Sequence, residues 1–314
     1  MIFVKGAYRR LFIYMLKRFA FLFLLVMLYL PLFGQNTVDR NSSLNIFNKG
    51  IRLLESNNYA AARSSFEQYL KTEPSSEMMA EAKYYQAYCA MMLFNDDAEY
   101  LFENFVAEYP SNSKSMMAYY ELGNYYYRNN KFKETISAFE KVKAYNLSPE
   151  QRFELKFKLG YSYFNLKKFE DALANFKYSL QAENEFQGAS AYYAGFIEIN
   201  NENYEDALTY LKIAEEKDTY KNVVPPMITM IYYGLKDYDR VISYAQSVFM
   251  DGRQVKNVGD MEIMLADAYY FKKDYRNANR YFESSLERKG GKSTTQILYK
   301  AGFTAYELSL IHIS

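Results

Sequence analysis

A small residue followed four positions later by an aromatic or apolar one recurs through this chain. The pairs are Ala62/Phe66, Ala98/Phe102, Thr135/Phe139, Ala172/Phe176, Ala207/Leu211, Val241/Ala245 and Ala278/Phe282. Their first members lie 36, 37, 37, 35, 34 and 37 residues apart. Internal periods of roughly 20–50 residues belong to arrays of stacked supersecondary units, so this register constrains the fold more than any other feature.

Each unit carries more than the pair. Twelve residues upstream stands another small residue, Gly50, Gly123, Gly160, Gly195 or Ala266, with Ala87 one residue out of step and Thr229 in the sixth unit. An aromatic lies three residues before the pair: Tyr59, Phe132, Phe169, Tyr204, Tyr238 and Tyr275. A small residue where two helices cross lets their backbones approach. The apolar residue one turn further along the same face fills the groove beside it. The connecting segments read NNYAAA, NDDAEY, NKFKET, KKFEDA, ENYEDA, KDYDRV and KDYRNA. Polar Asn, Asp and Lys followed by an anchor residue suit a tight helix–helix corner. Pro74, Pro110 and Pro149 punctuate the ends of the second helices, Pro225-Pro226 opens the sixth unit, and Gly290-Gly291 follows the seventh.

This pattern resembles the tetratricopeptide repeat (TPR) over about residues 43–307, seven and a half units. The resemblance implies an all-α helix–turn–helix solenoid wound as a right-handed superhelix. Its inner surface would be lined by the first helix of each unit, helix A. Trp, common in that helix in the family, is absent, and Tyr and Phe stand in its place. Mapped onto this chain, the inner face holds Tyr84, Tyr88, Tyr120, Asn124, Tyr127, Phe157, Tyr161, Phe164, Tyr192, Phe196, Asn200 and Tyr270. Such a surface suits a protein partner, because Tyr supplies apolar area with a hydroxyl and Asn can bond a peptide backbone. The same aromatics could equally fill the seams between units. Packing is assigned to Gly50, Ala62, Phe66, Ala98, Phe102, Gly123, Phe139, Gly160, Ala172, Phe176, Gly195, Ala207, Ala266, Ala278 and Phe282. The carboxylate clamp of chaperone-binding TPRs is not expected: Tyr120, Phe157 and Tyr192 stand where it needs Lys, and Lys158 is isolated.

Composition narrows the function classes. One Cys excludes an intrachain disulfide and a Cys-based zinc site, and one His excludes a multi-His metal centre. A net charge of +1 argues against nucleic-acid binding by phosphate neutralisation. No Gly-rich phosphate loop, G-x-S-x-G or Cys-x-x-Cys occurs. The expectation is a non-enzymatic chain with no cofactor or metal. Asp96/Asp97 and Glu215/Glu216 read as solvated charges, and Cys89 as a small core residue.

The two ends stand apart from the array. Residues 1–34 carry Lys5, Arg9, Arg10, Lys17 and Arg18, no acid, and an apolar run from Phe19 to Phe33 broken by Pro31. That arrangement describes a secretory signal peptide cleaved at Gly34–Gln35, before a short linker to residue 42. The alternative is a retained membrane anchor over residues 11–33, and Met15 is an alternative start. Cleavage would remove five of the 38 basic residues and none of the 37 acidic ones, turning the chain acidic. The last seven residues, 308–314, resemble one reading frame of a transposase adapter used in sequencing libraries. On that reading His312 is foreign and the natural gene continues past Glu307.

The sequence therefore points to an exported TPR scaffold, periplasmic or at the outer membrane, binding a protein partner. The alternative is a targeting module for an enzyme or a glycan- or cell-wall-binding domain.

Overall fold

A computed structural model describes residues 42–288 and 293–311, and all regular structure among them is helical. The proposed signal segment, its cleavage site, Gly290-Gly291 and His312 lie outside the described residues. The chain divides into two compact units, residues 1–128 and 129–314. The first holds α1 (42–55), α2 (Tyr59–Leu70), α3 (Ser76–Met92), α4 (Ala98–Glu108) and α5 (Ser115–Arg128). The second holds α6 (Phe132–Phe139), a single 3-10 turn (Ala144–Asn146), α7 (Pro149–Asn165), α8 (Phe169–Ser179) and α9 (Gln187–Asn200). It continues with α10 (Tyr204–Glu215), α11 (Pro225–Gly234), α12 (Tyr238–Met250), α13 (Val258–Phe271), α14 (Tyr275–Arg288) and α15 (Thr295–Ile311).

The recurring aromatics Tyr59, Phe132, Phe169, Tyr204, Tyr238 and Tyr275 are each the first residue of a second helix. The corner before each of them, and the one before α4, shares a left-handed residue. The second residue after the preceding helix turns left-handed, at φ 58° for Asn57, 57° for Phe94 and Asn130, 59° for Lys167, 61° for Glu202, 56° for Lys236 and 61° for Lys273. The next amide then donates to the carbonyl five residues back, as Asn58 N to Leu53 O (2.8 Å) and Asp237 N to Tyr232 O (3.0 Å). This closure satisfies carbonyls the helix end would leave bare, and it favours glycine, yet none of the seven is glycine. A left-handed L-residue costs about 1–2 kcal/mol, and a glycine's extra unfolded-state freedom costs back about 0.4–1 kcal/mol. Lys236→Gly and Lys273→Gly are therefore each expected to stabilise by about 0.5–1 kcal/mol, read in chemical denaturation. Unchanged or lowered midpoints would contradict this account of the corner.

Within the hairpins the small residues and the ring or Leu sixteen positions on meet face to face. A Cβ built on Gly50 would lie 2.8 Å from the Phe66 ring, one on Gly160 2.8 Å from Phe176, and one on Gly195 2.7 Å from Leu211. Ala62, Phe66, Ala98, Phe102, Ala172, Phe176, Ala207, Leu211, Ala266, Ala278 and Phe282 are buried. So are Val241 and Ala245 of the most divergent unit. Gly123 is buried in the first unit and Phe139 in the second. Burying a Phe contributes on the order of 1.5–3 kcal/mol, so these rings are the main apolar stabilisation of each hairpin. Cys89 sits in the first core, and burial pushes its thiol up to about 11, away from nucleophilic chemistry.

Two acidic pairs differ from the sequence expectation. Glu215 is part-buried and accepts from Tyr244 Oη and Arg253 Nη1, both at 2.6 Å. Asp97 receives both terminal nitrogens of Arg63, at 2.6 and 3.1 Å. Each carboxylate ties its hairpin to a neighbouring one, a role invisible without the partner.

Candidate interaction surfaces

The helix-A positions of the first unit form an open groove of about 700 Å³. It is walled by Leu54 and Glu55 at the end of α1, Tyr59 at the start of α2, and Tyr84, Tyr85 and Tyr88 on α3. Lys114, Met116, Met117 and Glu121, at and just before α5, close the other side. The Lys114 ammonium lies 4.9 Å from the Tyr85 ring centre and 5.4 Å from that of Tyr84, and donates to Tyr85 Oη at 3.1 Å. Burial by itself would lower the Lys114 pKa, but the bond to Tyr85 and the charge of Glu81 outweigh it and the net shift is upward. Lys114 is thus a fixed cation stacked on two rings. The Tyr88 hydroxyl is raised by burial first and by the charge of Glu121 second. An aromatic wall beside two carboxylates and one cation can receive an apolar side chain together with a polar or basic neighbour.

Two of the expected groove residues are largely buried, Tyr84 among them although its edge reaches the groove wall. Tyr84 is 6% exposed and Tyr120 3%. Tyr84 packs edge-on against Phe102 and Phe105, with ring centres 6.1 and 5.7 Å away, so α4 covers most of its ring. Tyr88 is half-buried, 6.4 Å from Tyr59. Asn124 and Tyr127 are also half-buried on α5.

In the second unit Phe157, Tyr161 and Phe164 form one wall with α9. Tyr161 meets Phe132 at 6.0 Å and Tyr193 at 5.3 Å, which places it in a seam between hairpins rather than on an open face. Phe157 stacks on Phe186 at 5.1 Å and touches Phe176, and Phe164 packs on Phe169, Tyr193 and Phe196. Tyr192 stacks on Tyr220 at 5.1 Å. Phe196 is exposed, and the Asn200 amide returns one bond to Phe196 O at 2.8 Å. Tyr270 lies among Phe271, Tyr275 and Phe303. Lys158 pairs with Glu154 on its own helix.

Three features were missed from sequence. Tyr85 and Tyr193 each stand two residues before the small residue of their helix A, and each stacks on the second-helix ring, Phe66 at 5.4 Å and Phe176 at 5.6 Å. Their shared register was the available signal. A methionine groove of about 470 Å³ is walled by Pro226, Met227, Met230, Ile263, Met264 and Ile297, with Asn257 and Asp260 at its rim. Finally, Asp267 of α13 accepts from Tyr233 Oη of α11 at 2.6 Å and from Lys300 Nζ of α15 at 2.8 Å. No spacing rule joins these three. Among the described residues no group of three His, Cys, Asp or Glu is placed to hold a metal, and no helix is long and apolar enough to cross a membrane.

Residues 47–99, which span most of α1 together with α2 and α3, match the tetratricopeptide repeat family, and the hairpin they form recurs through both units. The family match covers that one hairpin and the helix after it. Among solved structures, a variant of MamA is 23% identical, covering 57% of this chain and 99% of its own, with a TM-score of 0.47. A tetratricopeptide repeat protein from Parabacteroides merdae ATCC 43184 is 13% identical over 84% of this chain and 99% of its own, with a TM-score of 0.47. MamA from Desulfovibrio magneticus RS-1 is 16% identical over 55% and 93%, with a TM-score of 0.45. No curated protein matches the chain.

Proposed function

We propose that this chain is a TPR-like, non-enzymatic scaffold of the cell envelope that holds segments of a partner protein on its helix-A faces. The observation that carries the reading is the tyrosine-walled groove of the first unit, where Tyr85, Tyr88, Lys114 and Glu121 combine apolar area with fixed charges of both signs. A second foothold is the methionine groove, whose flexible side chains adapt to apolar segments. Repeats of this kind stabilise one another by nearest-neighbour contacts, so many weak contacts can be presented along one surface.

Crosslinking of the chain in an envelope fraction tests this. Tyr88→Ala and Met230→Glu are each expected to weaken partner capture at least tenfold, about 1.4 kcal/mol, while helicity stays near wild type. Tyr145→Ala, at an exposed ring away from both grooves, should leave capture unchanged. Capture insensitive to both groove variants would sink the reading, and recovery of wall polymer in place of protein would favour a targeting role.

Export rests on the basic and apolar pattern of residues 1–34. Terminal sequencing of the protein recovered from cell fractions should begin at Gln35. A start at Met1 or Met15 would contradict cleavage.

A further inference from the structure

The tyrosine-walled groove of the first unit lies between α1 and α5, so described helices flank it on both sides. Its one cation is already committed. Lys114 lies over the Tyr84 and Tyr85 rings, donates to Tyr85 Oη at 3.1 Å and pairs with Glu81 at 3.7 Å. The other charged residues of the wall are Glu55 and Glu121, both acidic. Glu55 is exposed. After burial, the Glu121 charge is the next cause that raises both the Tyr84 and the Tyr88 hydroxyls, which places its carboxylate beside that pair of rings.

The rings near these acids are held in place. Tyr59 and Tyr88 have centres 6.4 Å apart with 66° between planes, and Tyr88 lies 6.4 Å from Tyr84 at 23°. Asn57 Oδ1 accepts from the Tyr59 hydroxyl at 2.8 Å and fixes that ring. Ring faces are electron-rich, so tyrosines and carboxylates together make a site of one sign. The first unit already uses this chemistry internally. Lys83 sits over the Tyr109 ring at 5.4 Å and Arg128 over Phe94 at 5.6 Å.

We infer that the groove takes a lysine or arginine side chain of the partner, seated among Tyr59, Tyr84 and Tyr88 with Glu55 and Glu121 as its counter-charges. This rests on the reading of the groove as a partner site and specifies what that site selects. Leu54, Met116 and Met117 line the rest of the wall and take a flanking apolar residue. A wholly apolar segment would strip water from two carboxylates and return no charge in exchange. An acidic segment would meet Glu55 and Glu121 with like charge, and Lys114 is already shared with Glu81.

The test uses the full chain and labelled pentapeptides Gly-Leu-X-Leu-Gly, capped at both ends, with lysine, trimethyllysine or norleucine at X. The lysine peptide is expected to bind saturably and at least about tenfold more tightly than the norleucine peptide. Trimethyllysine keeps the charge but cannot donate a hydrogen bond, and should bind within about threefold of lysine. Glu55→Gln with Glu121→Gln should remove most of the lysine preference while norleucine binding stays as in the wild type, a pattern that a folding defect would not give. Equal binding of the lysine and norleucine peptides to the wild-type chain would overturn the inference and leave the groove as an apolar partner site. Loss of binding with trimethyllysine, or an unchanged lysine preference in the double variant, would also overturn it. So would the absence of saturable lysine binding. If Tyr88→Ala also left envelope capture unchanged, the reading of the groove as a partner site would fall with it.

Discussion

Replacing Phe176 with Ala is expected to cost about 3–5 kcal/mol, among the largest losses available in this array. The ring is fully buried, stacked on Tyr193 at 5.6 Å with 15° between planes, and 6.1 Å from Phe157. Opposite it stands Gly160, which has no side chain to move into the space, so the cavity would persist and the cost should sit in the upper half of that range. Phe176→Leu should cost only about 1–1.5 kcal/mol, because the fifth unit already seats Leu211 against Gly195 in the same way. Gly160→Ala gains about 1 kcal/mol of helix propensity, but its methyl would lie 2.8 Å from two Phe176 ring carbons and 3.2 Å from Ala172 O. Overpacking of this kind costs about 1–3 kcal/mol, and rings on both sides keep Phe176 from yielding, so the net effect is destabilising. Denaturation with amide exchange resolved over α7–α9 would report both changes. A neutral Gly160→Ala would mean that the helices do not approach as closely as described.

Lys300→Met should cost about 3–5 kcal/mol at the α13–α15 interface, because it strands a buried carboxylate. Asp267 is 7% exposed in its side chain and Lys300 10%, and the ammonium also lies 5.0 Å from the Phe271 ring centre. With Lys300 gone, Asp267 keeps only the Tyr233 hydroxyl. The loss cannot exceed the free energy that holds α15 down, so it should first appear as faster amide exchange in α15. Asp267→Leu with Lys300→Met together should recover most of the loss, since an apolar pair of similar volume avoids the desolvation of two charges. A cost below about 1 kcal/mol for Lys300→Met would instead mark the pair as solvent-screened.

The sequence by itself determined the unit: its period, its small-and-aromatic contact and its corner. Gly160 and Phe176, or Gly195 and Leu211, are sixteen residues apart within one hairpin, and the turn between them is local, so spacing alone brings them together. Tertiary structure decided which face of each helix A is groove and which is seam. Tyr84 and Tyr88 sit four residues apart on the same helix face, yet one is closed over by α4 and the other stays half open. Tyr161 likewise reads as groove until Phe132 and Tyr193 are seen against it. The Tyr233–Asp267–Lys300 contact depends on three successive first helices lying side by side, at separations of 34 and 33 residues with no shared motif. Periodicity specifies a direction from one helix axis, within about a turn, whereas burial depends on how closely the neighbouring hairpins approach that direction. That approach is a property of side chains packed across hairpins, and no single helix encodes it.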